Sequence, residues 1–518
     1  MFSRVFHIFF TILKFYFLEL PKEARIRKIL EELGGAFVKF GQILALRSDL
    51  VSENLALELL HLLDEMPQIP EEKIRQIIEQ ELGRPAEEVF SSFDKAPLAS
   101  ASFAQVHRAC TWNNEQAIVK IQRPGMAEVI RIDIKIFYCL AWLLDFFGYF
   151  GPLRPKQAVK EFSKWTLLEL DYLREAKMAE YFKLHAPPGV KIPKVFWSLT
   201  TKNILVEEYM EGISLKQLLI NKPPSFFNPK LISSRLIENI MHQYFILGQF
   251  HGDPHAGNII ISRDNALNLV DFGIVGQNTF QSRIAMAHFV QYAMNKDYNK
   301  AFTAFLHLGA ARQLQKHLPY LINDKGFMDR FMKYFPVFKT ILSKKFARIT
   351  GKWHKAIISQ SAAFSEKSAA KTFLKFLKMA GIYRITVSSE IVLFIKTLIA
   401  ADALSLKINP EFNLAETINK VFKQPEYAEL FSMEAKFKLI EPLKTTLPKK
   451  NSEKTESLKD YYAEWFYQIM EKHKKEFSNE LSKQELLKSP VRLADEPVKP
   501  GKVPDWLIKM RQALLPKQ

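Results

Sequence analysis

The spacing of apolar side chains changes several times along this chain, and each change predicts a different kind of element. Over residues 29–95, apolar positions recur three and four residues apart, which predicts helices. Over residues 97–122, apolar and polar side chains alternate, which predicts strands joined by a turn at Asn113-Asn114. Helical spacing returns over residues 126–185, where two long helices are predicted. A sheet is therefore expected between two helical regions.

The rest of the chain predicts two short hairpins among helices. Ile192–Leu199 and Asn203–Met210 have the composition of paired strands, as do Asn258–Ile261 and Ala266–Val270. The second hairpin is closed by a polar turn, and both of its strands are short and apolar. Helices are predicted over residues 213–250 and 280–425. The pattern as a whole is that of an α+β protein.

Two apolar stretches raise the question of a membrane. Met1–Leu20 is rich in Phe, Ile and Leu but contains three charged residues, and Ile136–Leu153 contains Asp145. No run of 18 uncharged apolar residues occurs, so no membrane-spanning helix is predicted. Residues 1–28 form an apolar arm that ends in the basic side chains Lys22, Arg25, Arg27 and Lys28. This arm is expected either to lie on an anionic membrane surface or to pack as a helix on the body.

The net charge indicates the class of partner, and the cysteine content indicates the redox compartment. The 518 residues carry a net charge of +18, which favours anionic partners such as nucleotides or acidic lipids, although excess lysine also serves solubility. No nucleic-acid-binding motif is present, so no nucleic acid partner is predicted. The two cysteines, Cys110 and Cys139, exclude a disulfide framework and fit a reducing compartment.

The second hairpin carries the residues with the clearest chemistry. His251-Gly-Asp-Pro-His-Ala-Gly-Asn258 precedes it, and Asp271-Phe-Gly273 follows its last strand. The hairpin brings Asp253, Asn258 and Asp271 to one end, and such oxygen-bearing side chains suit Mg²⁺ shared with phosphates. The order of these motifs is that of the protein-kinase-like fold, in which Asp253 is the candidate general base and Asn258 and Asp271 hold the metal.

A kinase-like fold also needs a lysine for phosphate and a carboxylate to orient it. Ala-Ile-Val-Lys120 resembles the kinase strand whose lysine holds the α- and β-phosphates. Glu175 is the first candidate for its carboxylate partner and Glu169 the second, with Asp171 between them. Solvent exposure is the alternative for any one of these acidic residues.

Two further segments are candidates for contacts with ATP. The loop before the lysine strand has small side chains where kinases have glycines, so it is expected to be stiffer over the phosphates. Its residues are Ala99, Ser100, Ala101 and Ser102. Glu207 and Tyr209 lie at the position of the interlobe hinge, where backbone N–H and C=O groups are expected to meet adenine.

These motifs together resemble the UbiB/AarF family of atypical kinases. Lys39-Phe-Gly-Gln42 and the alanine-containing loop are the most specific matches, and the likeness covers about residues 20–425. It implies a two-lobed protein-kinase-like fold with an N-terminal helical extension and extra C-terminal helices. In the family, the Lys-x-Gly-Gln segment lies where a protein substrate would bind, so Lys39 and Gln42 are candidate regulatory residues. Lys39 is then expected to pair with Glu169 or Asp171.

The resemblance also implies a biological setting. It predicts an Mg²⁺- and ATP-binding kinase or ATPase that supports ubiquinone biosynthesis, peripheral on the cytoplasmic face of the inner membrane. Quinone-precursor lipids and other ubiquinone-biosynthesis proteins are the implied partners. The chain departs from the family at Leu33-Gly-Gly-Ala36, at Met178, and in its charged carboxyl-terminal tail, which argues against an integral membrane anchor.

The alternatives are a small-molecule phosphotransferase of the aminoglycoside- or choline-kinase type and a nucleotide-switched, lipid-binding pseudokinase. The first uses a similar His-Gly-Asp and Asn arrangement, but the Lys39–Gln42 segment speaks against it. The predicted domain division is an arm (1–28), a helical extension (29–95), an N-lobe (96–212), a C-lobe (213–345), C-terminal helices (346–425) and a charged tail (426–518).

Overall fold

A computed structural model describes residues 2–45, 53–59, 62, 68–100, 103–146, 155–308, 325–359, 364–383 and 387–432. The chain forms two compact units. The first draws on the described residues of Met1–Asn239, Phe250–Gly276 and Lys407–Asn409, and the second on those of Ile240–Gln249, Gln277–Leu406 and Pro410–Gln518. The predicted α+β class is confirmed, because helices precede and follow the region that contains the sheets.

An antiparallel sheet lies at the centre of the first unit. Its strands are β1 (Phe90–Phe93), β2 (Ala99–Ser100), β3 (Ala104–Thr111), β4 (Gln116–Gln122) and β6 (Ile204–Glu208), in the order β1-β3-β4-β6 with β2 on β3. In β4, Ala117, Val119 and Ile121 are fully buried on one face. Lys120 therefore projects from the opposite face. The sheet begins at Phe90, before the lobe boundary predicted at residue 96.

A second, smaller sheet contains the hairpin that lies between the His251–Asn258 and Asp271–Gly273 motifs. It contains β5 (Val190–Lys191), β7 (Ile213–Ser214), β9 (Ile259–Ile261) and β10 (Leu267–Leu269), in the order β5-β10-β9-β7. The predicted hairpin is confirmed, with Leu267 opposite Ile261 and Asn265 in a left-handed turn conformation. A separate ladder joins β8 (Gln249–His251) to β11 (Val275–Gln277).

Helices make up the rest of the first unit. They are α1 (Phe2–Tyr16), α2 (Lys22–Leu33), α3 (Gly35–Ala45), α4 (Glu53–Leu59), α5 (Glu71–Leu82), α6 (Ala86–Val89), α7 (Met126–Phe146), α8 (Pro155–Leu168), α9 (Tyr172–Leu184), α10 (Leu215–Ile220) and α11 (Pro229–Met241). No helix among the described residues combines the length and the apolar character needed to cross a bilayer.

The helices predicted over 213–250 are flanked by strands β7 and β8, and two predicted elements within 126–210 also differ from those observed. The second helix expected within 126–185 is interrupted after Leu168, because the Asp171 side chain accepts the Arg174 N–H and starts a new helix as its N-cap. The hairpin expected over 192–210 has only its second strand. Val195 forms a single bridge to Glu207, and Pro193 supplies no N–H for a ladder.

The arm predicted over residues 1–28 packs on the body along one side and leaves the other exposed. Arg4 donates two hydrogen bonds to the buried Asp133 carboxylate, at 2.7 and 2.9 Å, and one to the carbonyl of Leu33. Thr11 and Phe15 are buried on the same side of α1. Its outer side exposes Val5, Phe6, Phe9, Phe10, Ile12, Leu13 and Tyr16. The predicted packing of the arm is therefore observed on one side of α1, and the other side presents an exposed apolar surface.

In the second unit, the described residues from Phe280 to Val421 form successive helices, as predicted for residues 280–425. Its helices are α12 (Phe280–Met294), α13 (Tyr298–Leu308), α14 (Lys325–Ile358), α15 (Phe364–Lys367), α16 (Ala370–Ile382), α17 (Ser389–Ile408) and α18 (Leu414–Val421). Phe346 is fully buried and stacks on Phe376 with ring centroids 4.4 Å apart, and Phe289 and Phe302 pack around it. The predicted tail beyond Ser432 lies outside the described residues.

A buried carboxylate in the second unit gives the fold a dependence on pH. Asp402 is fully buried and accepts hydrogen bonds from the Ala369 N–H at 2.8 Å and the Ser368 hydroxyl at 3.1 Å. Burial raises the pKa of Asp402 to about 6, against the opposing effect of these two donors. Since its pKa is higher in the folded state, the ionised form at neutral pH destabilises the fold.

We therefore expect Asp402→Asn to be more stable than the wild type at pH 7 to 8, by up to about 3 kcal/mol for a shift of this size. The amide keeps an oxygen for the Ala369 N–H and cannot ionise. The advantage should shrink as the pH falls through about 6, because the wild-type carboxyl is then protonated. Thermal unfolding of both proteins from pH 5 to 8 measures this, and a stability difference that does not change with pH would contradict it.

Candidate functional site

Lys120 lies at the centre of the candidate site, within strand β4. Its Nζ is 2.8 Å from Glu175 Oε1, and both side chains are buried. Glu175 lies in the first turn of α9. Burial alone would lower the pKa of Lys120, but Glu175, Glu207 and Asp271 raise it well above its usual value, so the ammonium stays charged. Of the two predicted partners, the structure brings Glu175 to Lys120.

A second carboxylate shares the same ammonium. Glu207 Oε2 is 3.2 Å from Lys120 Nζ, and Glu207 is fully buried. In the β4–β6 ladder Leu205 pairs with Lys120 and Glu207 with Ile118, so Glu207 lies diagonally across from the lysine on the same face. Sequence reasoning placed Glu207 at the hinge for its backbone and missed this side-chain contact, because it depends on a register that the sequence does not reveal.

Two backbone N–H groups of the predicted adenine hinge already donate hydrogen bonds within the protein. The backbone N–H of Tyr209 donates to the Gln116 carbonyl at 2.9 Å, and that of Glu208 donates to the Lys194 carbonyl at 2.8 Å. The Tyr209 ring lies under the Arg108 guanidinium, 4.4 Å from it. The Tyr209 N–H expected to meet adenine is therefore already bonded within the protein.

Asp271 occupies a strained position in the Asp-Phe-Gly loop. Its φ of 68° lies in the left-handed region, which an aspartate adopts at some cost. Its Oδ1 accepts the Gly273 N–H at 3.1 Å. Burial alone would raise the pKa of Asp271, but Lys120 and this N–H lower it below its usual value. Asp271 is therefore held as a carboxylate beside the lysine.

The residues that flank Asp271 attach the loop to helix α9. Arg174 Nη1 donates to the Gly273 carbonyl at 3.1 Å, and Phe272 stacks on Phe182 with centroids 5.3 Å apart. A Cβ added at Gly273 would lie 3.3 Å from Asp271 Oδ1 and 3.7 Å from Glu175 Oε2. Glycine at this position thus leaves room for the Asp271 carboxylate, which a side chain would crowd. Sequence reasoning did not identify Arg174 as part of the site.

The loop before β9 is stabilised by its own histidines. The Asp253 N–H donates to His251 Nδ1 at 3.0 Å, and the Gly257 N–H donates to His255 Nδ1 at 3.0 Å. Burial lowers the pKa of His251, which fits its role as a neutral acceptor. Asn258 Nδ2 donates to the Asp253 carbonyl at 3.4 Å, which leaves its amide oxygen for a cation. The N–H of Val270 donates to the Asn258 carbonyl, joining this loop to the Asp-Phe-Gly segment.

The charges around the site fit a divalent cation. The carboxylates that surround the two lysines, Lys39 and Lys120, are Glu169, Glu175, Glu207, Asp253 and Asp271. Within the described part of the chain, no three His, Cys, Asp or Glu side chains form a ready metal site. Mg²⁺ requires none, because it is usually held by one or two carboxylates together with phosphates and waters. Asp271, Asn258 and the excess negative charge therefore fit Mg²⁺ bound with nucleotide.

Helix α3 brings Lys39 to the site. Lys39 Nζ is 2.9 Å from Glu169 Oε2, and both side chains are largely buried. Burial alone would lower the pKa of Lys39, but Glu169, Asp253 and Asp271 raise it above its usual value. Asp171, the other expected partner of Lys39, instead caps α9. Gln42 lies in the same helix, and its side chain is outside the described part of the structure.

Aromatic packing and one glycine determine the position of α3. Phe40 contacts Phe137 of α7 and Phe162 of α8, with ring centroids 4.9 and 5.5 Å apart. A Cβ added at Gly41 would lie 2.3 Å from Leu62 Cδ1 and 2.8 Å from Leu30 Cδ1. The glycine of the Lys-x-Gly-Gln motif is thus required for close packing of the helix that carries Lys39.

The glycine-free loop is only partly described. Ala99 and Ser100 form β2, and the Ser100 hydroxyl accepts a hydrogen bond from Arg123 Nη2 at 2.7 Å. Ala101 and Ser102 lie outside the described residues. Nearby, the buried Gln105 side chain donates to the Ile69 carbonyl and accepts the Ile69 N–H, which attaches residues 68–70 to the sheet. Gln105 therefore has a structural role.

Comparison with known proteins relates this chain to one family of atypical kinases. A model of the ABC1 atypical kinase-like domain matches residues 61–305. A protein of Marinobacter nauticus described as "Probable protein kinase UbiB" is 30% identical over 423 residues, which are 79% of this chain and 72% of that protein. A protein of the same description from Pseudomonas paraeruginosa is 31% identical over 412 residues, covering 77% and 71% of the two chains.

Among solved structures, the complex of Rv3197 with erythromycin from Mycobacterium tuberculosis aligns with a TM-score of 0.46. The sequences are 21% identical, and the alignment covers 77% of this chain and 95% of the other.

The close packing around Gly41 can be tested by substitution. Gly41→Ala should lower the stability of the first unit by about 1–3 kcal/mol, because the added methyl overlaps Leu62 and Leu30. Thermal unfolding measures the loss. The matched control is Gly351→Ala in helix α14, where the added methyl meets only Tyr298 Oη at 3.8 Å. That change should be neutral or stabilising, since alanine is the better helix former. Equal effects of the two substitutions would contradict the proposed packing role.

Proposed function

The chain belongs to the UbiB family of ABC1 atypical kinase-like proteins, and we propose that it binds Mg²⁺ and ATP and supports ubiquinone biosynthesis at a membrane surface. It is an enzyme of the kinase and phosphotransferase class. The observation that carries the proposal is the buried Lys120–Glu175 ion pair beside Asp271. A lysine, its carboxylate partner and an Asp-Phe-Gly aspartate are the parts that such enzymes use to bind nucleotide phosphates.

Each residue of the site has a distinct role in this proposal. Lys120 holds a nucleotide phosphate, and Glu175 orients the lysine. Asn258 and Asp271 hold Mg²⁺, which would neutralise charge on the phosphates when bound. Asp253 acts as the general base and accepts the proton of the attacking hydroxyl or water. Such a base contributes on the order of 10²–10⁴-fold to the rate. Ala99, Ser100, Ala101 and Ser102 cover the phosphates in place of a glycine-rich loop.

The Lys39–Glu169 ion pair supports a regulatory role for helix α3. Lys39 lies close enough to Asp253 and Asp271 for their charges to raise its pKa, so α3 lies beside the proposed base and metal ligands. A phosphate acceptor that approaches Asp253 must then share this space with Lys39. We propose that Lys39 and Gln42 limit which phosphate acceptors reach the site. Such a restriction favours a UbiB-type kinase over a small-molecule phosphotransferase, whose site would be open.

The proposed setting is the cytoplasmic face of the inner membrane, with quinone-precursor lipids and other ubiquinone-biosynthesis proteins as partners. The exposed outer side of α1 supports it, since a row of large apolar side chains on one helix face is typical of interfacial helices. The basic residues of the arm contribute less to membrane binding than the sequence predicts. Arg25 donates to the carbonyls of Leu18 and Leu20, and Arg27 pairs with Glu31 and Glu58.

The metal and nucleotide roles are tested by Asp271→Asn. We expect the variant to fold but to lose stabilisation by Mg²⁺ and ATP, which for the wild type amounts to about 2.7 kcal/mol at a ligand concentration one hundred times the Kd. Thermal unfolding with and without Mg²⁺–ATP measures it. Asp264→Asn, at the exposed turn of the same hairpin, removes an equal charge away from the site and should respond like the wild type. Undiminished stabilisation of Asp271→Asn would refute the assignment.

The membrane role is tested on the outer side of α1. The double substitution Phe6→Ser and Phe10→Ser should weaken co-sedimentation with anionic vesicles at least about tenfold, because burial of each ring contributes about 1.5–3 kcal/mol. The buried contacts of Arg4 and Phe15 remain, so stability should be unchanged.

The matched control replaces two even more exposed apolar residues of the first unit, Leu184→Ser and Ile220→Ser, and should bind vesicles as the wild type does. Since Arg27 is already paired with Glu31 and Glu58, added salt should weaken binding less than four free basic side chains would predict. Equal sedimentation of the two double variants would show that α1 is not the lipid-binding surface.

A further inference from the structure

Lys120 carries one positive charge but contacts two buried carboxylates. Glu175 Oε1 lies 2.8 Å and Glu207 Oε2 lies 3.2 Å from its Nζ. An ammonium needs one carboxylate to be neutralised, so this arrangement leaves one negative charge in excess where a nucleotide phosphate would bind. Burying such a charge is costly unless another group compensates for it. The second carboxylate therefore calls for an explanation beyond the lysine–glutamate pair.

Glu207 is held less completely than Glu175. Glu175 accepts a well-formed hydrogen bond from Lys120. Both carboxylate oxygens of Glu207 are buried, yet no donor in the described part of the chain reaches either with hydrogen-bond geometry. The contact with Lys120 is thus an ion pair by distance. Most buried polar groups are hydrogen-bonded, and an exception at a functional site points to a role in that function.

We propose that Glu207 is a specificity-determining residue of the nucleotide site: its carboxylate competes with phosphate for Lys120 and so makes nucleotide binding depend on a divalent cation. The proposal rests on the nucleotide-binding function proposed above. Without a cation, the phosphates meet a lysine that two carboxylates already neutralise. With a cation, the excess charge of Glu207 and the neighbouring Asp271 is compensated, and Lys120 can bind phosphate.

The sign and size of the effect follow from electrostatics. Glu207 lies within 3.2 Å of the ammonium that is to receive the phosphate, so its charge repels any anion bound there. Two unit charges some 6 Å apart at a protein-like dielectric constant interact strongly enough to change an affinity by roughly tenfold or more. Removing the charge of Glu207 should therefore strengthen binding of cation-free ATP, and should strengthen binding of Mg²⁺–ATP much less.

The neighbouring residue provides a matched control. Glu208 is the next residue of the same strand, is about half exposed, and lies close to Lys183 and the backbone of Lys194. Glu208→Gln removes the same charge from the same strand on the opposite face. Any difference between the two variants therefore reports the position of the carboxylate and not the net charge of the protein.

The experiment measures ATP affinity of the full chain by calorimetry, once with EDTA and once with Mg²⁺. Glu207→Gln should bind cation-free ATP roughly tenfold more tightly than the wild type, and the ratio of the two Kd values should fall accordingly. Glu208→Gln should leave that ratio unchanged. In turnover assays with Mg²⁺, Glu207→Gln should keep KM and kcat close to the wild-type values, whereas loss of a purely structural contact would lower kcat and stability together.

Glu207→Met keeps the variant series informative if the buried amide disturbs folding, because methionine fills a similar volume without a polar group. It should show the same change in the ratio. Equal ratios for Glu207→Gln, Glu207→Met and the wild type would overturn the proposal, as would weaker binding of cation-free ATP. If neither the wild type nor any variant binds ATP with Mg²⁺, the proposed function fails instead, so the two failures are distinct.

Discussion

The buried charge of Lys120 is the constraint on which the arrangement of the candidate site depends. An ammonium removed from water must find carboxylates, and each carboxylate near Lys120 comes from a different element: Glu175 from α9, Glu207 from β6 and Asp271 from the loop after β10. The sheet, the helix and the hairpin therefore all contribute a carboxylate that interacts with Lys120. The backbone of the Asp-Phe-Gly loop positions the Asp271 carboxylate, because Asp271 is left-handed and Gly273 has no side chain to crowd it.

Much of this arrangement can be predicted from sequence because it is local. The hairpin that separates Asn258 from Asp271 follows from short apolar runs around a polar turn, and Lys120 follows from the alternation in its strand. The helices after residue 280 follow from apolar periodicity. In these segments the local pattern and the tertiary structure favour the same element, and prediction then succeeds.

The missed features depend on contacts between distant residues or on competition between local signals. Helical spacing runs through Leu168–Ala176, but the side chain of Asp171 bonds to a backbone N–H and divides the helix. The contact between Glu207 and Lys120 depends on strand register, and that between Arg4 and Asp133 on the docking of α1. No periodicity in the sequence encodes either contact.

The Arg4–Asp133 contact has a consequence for the synthesis of the protein. The two residues are 129 positions apart, so α1 leaves the ribosome well before its buried partner has been made. At ordinary elongation rates this interval lasts about ten seconds. During that time the inner face of α1 is uncovered, and other surfaces can compete for it. Completion of α7 then ends this competition, because Asp133 can draw Arg4 and the inner face onto the body. The order of translation thus leaves α1 without its buried partner until α7 has been made.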